Sequence, residues 1–341
     1  MTGVIYCIAV LWLTCCGLHS YAYGLNDELR GVSLHVISPK DSKQNDYVQG
    51  ADPFVLRADN SKNYLYITNR PGINVPVFVS TDLNIWSPIG DAMPKLPSWA
   101  KEGFTWAPEA IKLASGGYVL YYTAKDSDTD KQCIGRAISM DPAGPFVDKS
   151  RRPFLCNKET DTSIDPSPFV DNDGKMYILW KTKKEAKNKQ VKTKIWIRLL
   201  TPDGQTADDK ATVLLENDQP WEGQHVEAPT LIKLQGKYIL FYSAGATSSS
   251  GYSISYAVSD SIVGPYKKVH NQPLVSKGKY LNGPGHQAIY NIGPNSFMLF
   301  YHSVHRERAD QKNKPARYID YSYICFDGIN PIVQDMKCKV P

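Results

Sequence analysis

Three acids stand at matched points of a repeated motif: Asp52 before Pro53, Asp165 before Pro166, and Glu227 just ahead of Ala228-Pro229. Taken singly, each has an ordinary explanation, since Asp-Pro commonly opens a turn and a lone Glu at a strand end is most often a surface residue. Placed at equivalent points of a repeat, they should converge on one end of the structure. Clustered carboxylates repel, and the usual resolution leaves one protonated near neutral pH while another stays ionised. A neutral acid beside an ionised base is the equipment of glycoside hydrolysis. Where unit four carries Glu227, unit two carries Trp106, read either as a platform for a sugar ring or as packing between repeats. Unit five replaces the proline by His286, within Gly283-Pro-Gly-His, either a satisfied buried histidine or a site residue. Signatures of other chemistries are missing: no Gly-x-Ser-x-Gly elbow, phosphate loop, His-Glu-x-x-His or Cys-x-x-Cys occurs. His302 and His305 are three apart, a weak metal signal without further partners.

The positioning element is the repeat itself. Its five copies begin Asp52-Pro-Phe-Val-Leu, Ala107-Pro-Glu-Ala-Ile, Asp165-Pro-Ser-Pro-Phe, Ala228-Pro-Thr-Leu-Ile and Gly285-His-Gln-Ala-Ile. Each runs into a turn rich in Gly, Asn, Asp or Ser and then an aromatic strand, such as Tyr118-Val-Leu-Tyr-Tyr or Tyr238-Ile-Leu-Phe-Tyr. First residues at 52, 107, 165, 228 and 285 give steps of 55, 58, 63 and 57, room for four short strands. An outer segment repeats too, Ala137-Ile-Ser-Met-Asp-Pro-Ala-Gly-Pro-Phe resembling Ala257-Val-Ser-Asp-Ser-Ile-Val-Gly-Pro-Tyr. Helical periodicity is nearly absent, and the charged run Lys183 to Lys192 reads as a solvated hairpin tip. The pattern predicts an all-β chain, a five-bladed β-propeller of four-stranded antiparallel blades whose first strands line a central channel. A pair of sandwiches is the alternative, but it gives no reason for one motif to recur five times.

Composition agrees with a single large β architecture. The chain has 341 residues, 42% apolar and 21% charged, which excludes disorder and a disulfide-dense miniprotein. A net charge of +5 from 39 basic and 34 acidic residues is too slight for a nucleic-acid partner. Val4 to Leu18 is nearly continuously apolar and is followed by Ser20-Tyr21-Ala22, so residues 1–22 read as a secretory signal with a short anchor as the competing reading. No other stretch offers a membrane span, and a secreted mature chain over residues 23–341 is expected. Cys7, Cys15 and Cys16 leave with the signal. The remaining four are expected to pair as Cys133–Cys156 and Cys325–Cys338, each pair flanking an antiparallel strand pair.

From about residue 45 to 335 the chain resembles glycoside hydrolase family 43. The stretches that carry the resemblance are Ser163-Ile-Asp-Pro-Ser-Pro-Phe-Val-Asp-Asn-Asp-Gly-Lys-Met-Tyr, Val226-Glu-Ala-Pro-Thr, Gly283-Pro-Gly-His and Ser80-Thr-Asp-Leu-Asn-Ile-Trp. The family implies a five-bladed propeller that hydrolyses arabinose- and xylose-containing glycans with inversion. The resemblance makes Asp52 the general base, Glu227 the general acid and Asp165 the carboxylate that orients the acid and tunes its pKa. It places His286 on the channel floor near a calcium ion or a water cluster, so a structural calcium is an expectation although the chemistry needs no cofactor. Base and acid should lie roughly 6.5–9.5 Å apart to admit a water. Invertase relatives expect Asn and Cys where this chain has Ala51 and Ala228, and sialidases an arginine triad that is not found here.

The resemblance leaves the cleavage mode open between an exo-acting α-L-arabinofuranosidase or β-xylosidase and an endo-arabinanase. From another class, a carbohydrate-binding propeller without turnover is the rival. Trp106, His286 and Arg317 are the candidate sugar-binding residues, Arg317 with a surface salt bridge as its alternative. The expected partner is a carbohydrate substrate, and a monomer is expected.

Overall fold

The computed structural model describes residues 28–36, 46–187, 191–246, 250–269, 271–305 and 316–338. The expected signal segment, residues 1–22, lies outside them. Each repeat folds as a blade whose strands follow one another as antiparallel neighbours. In blade one these are Phe54–Arg57, Asn63–Tyr66, Pro76–Ser80 and Ile85–Asp91. Blade two comprises Ala100–Lys112, Tyr118–Asp126 and Gln132–Ser139, its outer edge marked by the bridge Ile138↔Val147. Thr162–Val170, Met176–Glu185, Val191–Leu200 and Thr206–Glu216 make blade three. Blade four has Val226–Leu234, Lys237–Ala244, Ser253–Ser259 and the short Lys267–Lys268. Gly285–Gly293, Ser296–His305 and Ala316–Asp327 complete the count in blade five. The alternation of aromatic and aliphatic residues suits strands buried on both faces.

Closure of the ring uses the chain before the first repeat. Val32–Ser33 pairs with Tyr321 and Asp320 of blade five, while Asn330–Gln334 pairs with the far half of the same strand, Tyr323 to Asp327. The outer edge of blade five is therefore shared between two distant segments. Ser33 and Ser303 both donate hydroxyl hydrogens to the buried Asp320 carboxylate, at 2.6 and 2.5 Å, which fixes that junction. Apolar contacts divide in the same way. The five core clusters fall between blades one and two, two and three, three and four, four and five, and five and one. A sandwich has one core; five seams closing on themselves make the five-bladed β-propeller.

The smaller expectations can be placed as well. The two disulfides join Cys133 to Cys156 and Cys325 to Cys338, with Cα separations of 4.8 and 5.6 Å. The two Gly-Pro pairs of the outer repeat, Gly144-Pro145 and Gly264-Pro265, both have cis peptides. Lys183 and Lys184 pair with Thr193 and Lys192 near the end of a hairpin, as read for that charged run.

Candidate active site

The residue that opens each repeat has a left-handed backbone: φ is +57° at Asp52, +44° at Ala107, +57° at Asp165, +50° at Ala228 and +51° at His286. Non-glycine residues hold this conformation at a cost of about 1–3 kcal/mol each, and five on one ring mark a site that the fold over-determines. The common geometry corrects the register of the last unit. His286 occupies the place of Asp52 and Asp165, and Gln287 the place of proline, so the repeats start at 52, 107, 165, 228 and 286. The cross-strand pairs Glu227↔Ser243 and Gly285↔His302 confirm the shift, because Gly285 matches Glu227 rather than Ala228.

A second ring lies one strand outward and was missed in the sequence, although the same self-alignment contains it: Thr68, Thr123, Lys181, Ser243 and His302, each ending the aromatic run of its blade. In four blades this residue accepts the backbone N–H of the next blade's left-handed residue. Thr68 Oγ1 accepts from Ala107 at 2.9 Å, Thr123 Oγ1 from Asp165 at 3.2 Å, Ser243 Oγ from His286 at 2.8 Å and His302 Nδ1 from Asp52 at 3.2 Å. Blade three is the exception. Lysine has no lone pair to offer when charged, and the Ala228 N–H is accepted instead by Asp165 Oδ2 at 3.1 Å.

These two rings bring the predicted acids into one environment. Asp52 accepts the Thr68 hydroxyl at 2.5 Å, and its Oδ1 lies 3.2 Å from His286 Nδ1 and 3.3 Å from His302 Nδ1. Burial alone raises its pKa, but His286, His302 and Arg317 together outweigh burial and hold the carboxyl well below the usual range. Asp52 is thus held in its ionised form. Asp165 and Glu227 are both buried, at 8% and 4% exposure. Burial pushes Asp165 up, against His286 and Lys181, with Glu227 and Asp52 adding to the rise, and its carboxyl reaches about 6. Glu227 goes the other way: its Oε2 accepts from Lys181 Nζ at 2.7 Å, and Lys181, His225 and His286 overcome burial. The two neighbouring carboxyl groups are therefore pushed apart, Asp165 upward by burial and Glu227 downward by the lysine beside it.

The other predicted residues gather around the same end. Arg317 is the second residue of the third strand of blade five and, with Gln49, Ala51, Thr68, Asn69 and Arg70, lines a cavity of about 320 Å³ beside Asp52. Trp106 is partly exposed, its ring 6.4 Å from that of Phe104. Further groups come from outside the predicted set. Tyr252 is buried with its ring stacked 5.7 Å from His302, and a Cβ on Gly285 would come within 2.0 Å of it, so only glycine fits there. Glu109, buried beside Ser167 and Asp165, is pushed well above the carboxylate range, first by burial. His286 aims Nδ1 at Asp52, and no three His, Cys, Asp or Glu side chains among the described residues gather as a metal cage. A calcium held by His286 through water, as the resemblance implies, would need no such cage. His302 likewise faces Asp52.

Residues 47–319 match the model of glycosyl hydrolases family 43. A putative β-xylosidase of Xylanibacter ruminicola is 26% identical over 74% of this chain and 44% of its own length. An extracellular endo-α-(1→5)-L-arabinanase 2 of Bacillus subtilis (strain 168) is 23% identical over 77% of this chain and 56% of its own. The chain thus spans about half the length of these curated relatives. A solved structure of a thermostable family-43 glycoside hydrolase superposes with a TM-score of 0.74 at 28% identity, over 85% of this chain and 95% of that one. With a five-bladed ring carrying acids on blades one, three and four, and a family match over most of its length, the chain belongs to glycosyl hydrolase family 43.

Proposed function

We propose that the propeller is an inverting glycoside hydrolase acting on arabinose- or xylose-containing glycans, with Asp52 as general base, Glu227 as general acid and Asp165 as the carboxylate that orients the acid and shares its proton. The observation that carries the reading is the unequal environment of three acids presented by one ring of matched backbone positions: Asp52 lowered chiefly by His286 at 3.2 Å, Asp165 raised by burial, and Glu227 paired with Lys181 at 2.7 Å. In the inverting mechanism Asp52 takes a proton from water as that water attacks the anomeric carbon, while Glu227 delivers one to the departing oxygen. The sugar would lie between Arg317 and Trp106, the aromatic face against the ring and the guanidinium on its hydroxyls. The β-xylosidase and arabinanase names of the relatives support the pentose class. Export is proposed on the apolar leader and the two disulfides, and some relatives are described as extracellular.

The test is hydrolysis of aryl α-L-arabinofuranoside, aryl β-D-xyloside and debranched arabinan, with the first-formed anomer read by proton NMR. Release from a small glycoside establishes exo action and identifies the sugar, cleavage of arabinan alone establishes endo action, and a product of opposite anomeric configuration is expected. Retention of configuration refutes the base assignment of Asp52. Binding without turnover on all three would favour a carbohydrate-binding propeller.

A further inference from the structure

Four seams of the ring close in one way, with a hydroxyl or a histidine nitrogen accepting the next blade's N–H. The third does not. Lys181 occupies the acceptor's place, the seam is closed by Asp165 Oδ2, and the ammonium turns to Glu227 Oε2 at 2.7 Å, with both side chains no more than 6% exposed. A serine or threonine would serve the fold at this position, because Thr68, Thr123 and Ser243 do so elsewhere on the same ring. Burying an ammonium carries a large desolvation cost. What lysine adds over threonine here is its contact with one of the acids assigned to the reaction.

We propose that Lys181 is a positioning residue for Glu227, fixing its carboxyl group at the pocket and setting the highest pH at which that group can still deliver a proton. The inference rests on the assignment of Glu227 as general acid and extends it. A fixed positive charge at hydrogen-bond distance favours the ionised form of a carboxylic acid, so the proton needed by the leaving oxygen must be held against this ammonium. Other groups act on the same carboxyl group. Asp165 faces from the first strand of blade three, and His225, itself acted on by Lys183, precedes Glu227 on its own chain. His286 contributes from blade five, Tyr252 from the segment before the third strand of blade four, and Asp52 and Glu109 act through Asp165. Among the described residues Lys181 alone is both cationic and hydrogen-bonded to the acid. The arrangement ties turnover to acidic conditions.

The test replaces Lys181 by the residue the other seams use. In Lys181→Thr the alkaline limb of kcat/KM is expected to move up by about one to three pH units, the range that loss of a neighbouring opposite charge produces. The plateau kcat should fall more than KM changes, because the lost contact orients the acid rather than the sugar. Lys181→Arg, which keeps the charge, should leave the limb in place. A readout independent of turnover is the carboxyl-carbon NMR titration of Glu227, assigned by its disappearance in Glu227→Gln. Its midpoint should lie below the ordinary glutamate value in the native protein and rise in Lys181→Thr. If Lys181→Thr does not fold, Lys181→Gln carries the same expectation, and the native midpoint still decides, since a Glu227 that titrates above the ordinary value overturns the proposal. An unmoved limb or midpoint in a folded charge-removing variant also overturns it. A native protein silent on every glycoside would instead defeat the hydrolase reading, leaving the midpoint to judge Lys181.

Discussion

Asp165→Asn tests whether the retained proton sits on Asp165. The Asp165 carboxyl is raised from 3.8 to about 6, a little over two pH units. At about 1.4 kcal/mol per unit, ionising it inside the fold costs about 3 kcal/mol relative to the unfolded chain. The sign follows from proton counting. Between the two values the folded state binds the proton and the unfolded state does not, so this group's contribution is greatest below pH 3.8 and is lost as pH rises through 6. Asparagine has no such titration, and its amide oxygen can still accept the Ala228 N–H that Asp165 holds at 3.1 Å.

Urea unfolding of both proteins at pH 4 and pH 7.5 isolates the effect. The stability difference should shift by about 2–3 kcal/mol in favour of Asp165→Asn between the two conditions. Asp52 and Glu227, with depressed values, and His225 and His302, lowered first by burial, lose stability as pH falls, the opposite sign. They are present in both proteins and largely cancel in the difference. Turnover should drop in the variant even as it becomes more stable at pH 7.5, a trade-off typical of strained sites. Parallel stability curves for the two proteins would refute the placement of the proton, and with it the electrostatic account of the site.

Three further outcomes are expected. Glu227→Gln should lower kcat on arabinan or xylo-oligosaccharides by about 10²–10⁴-fold, the usual contribution of a positioned acid, yet spare an aryl glycoside with a very acidic leaving group; equal losses on both would remove the acid role. Trp106→Ala should raise KM with little change in urea midpoint, because the ring is partly exposed, and calorimetric titration with the product sugar would show the lost contact. Lys268→Met should destabilise the fold by about 3–5 kcal/mol, since Lys268 lies 2.7 Å from Glu222 Oε1 and Glu222 is fully buried; thermal melts at pH 7 with unchanged KM would place that effect outside the active site.

What could be read from the sequence followed from the repeat acting as its own alignment. Matching the five units located Asp52, Asp165 and Glu227 and the number of blades, because a motif recurring once per blade lands on one end of the ring. The slip at His286 came from anchoring that match on proline, which unit five lacks; the left-handed backbone, not the proline, is the repeated feature. The closing strand Val32–Ser33 was illegible for a different reason, being two residues long with no motif, its place set entirely by Tyr321 and Asp320 nearly three hundred residues later. Charge state was the least legible of all. Nothing near Glu227 in sequence announces that its carboxyl group is lowered, since the hydrogen-bonded Lys181 lies 46 residues earlier on another blade. Yet Lys181 breaks its own column as plainly as Glu227 breaks the neighbouring one. In a repeat whose places are otherwise filled by residues that close the seams, a departure on either ring is where packing has been given over to chemistry, and both columns must be compared before the protons can be assigned.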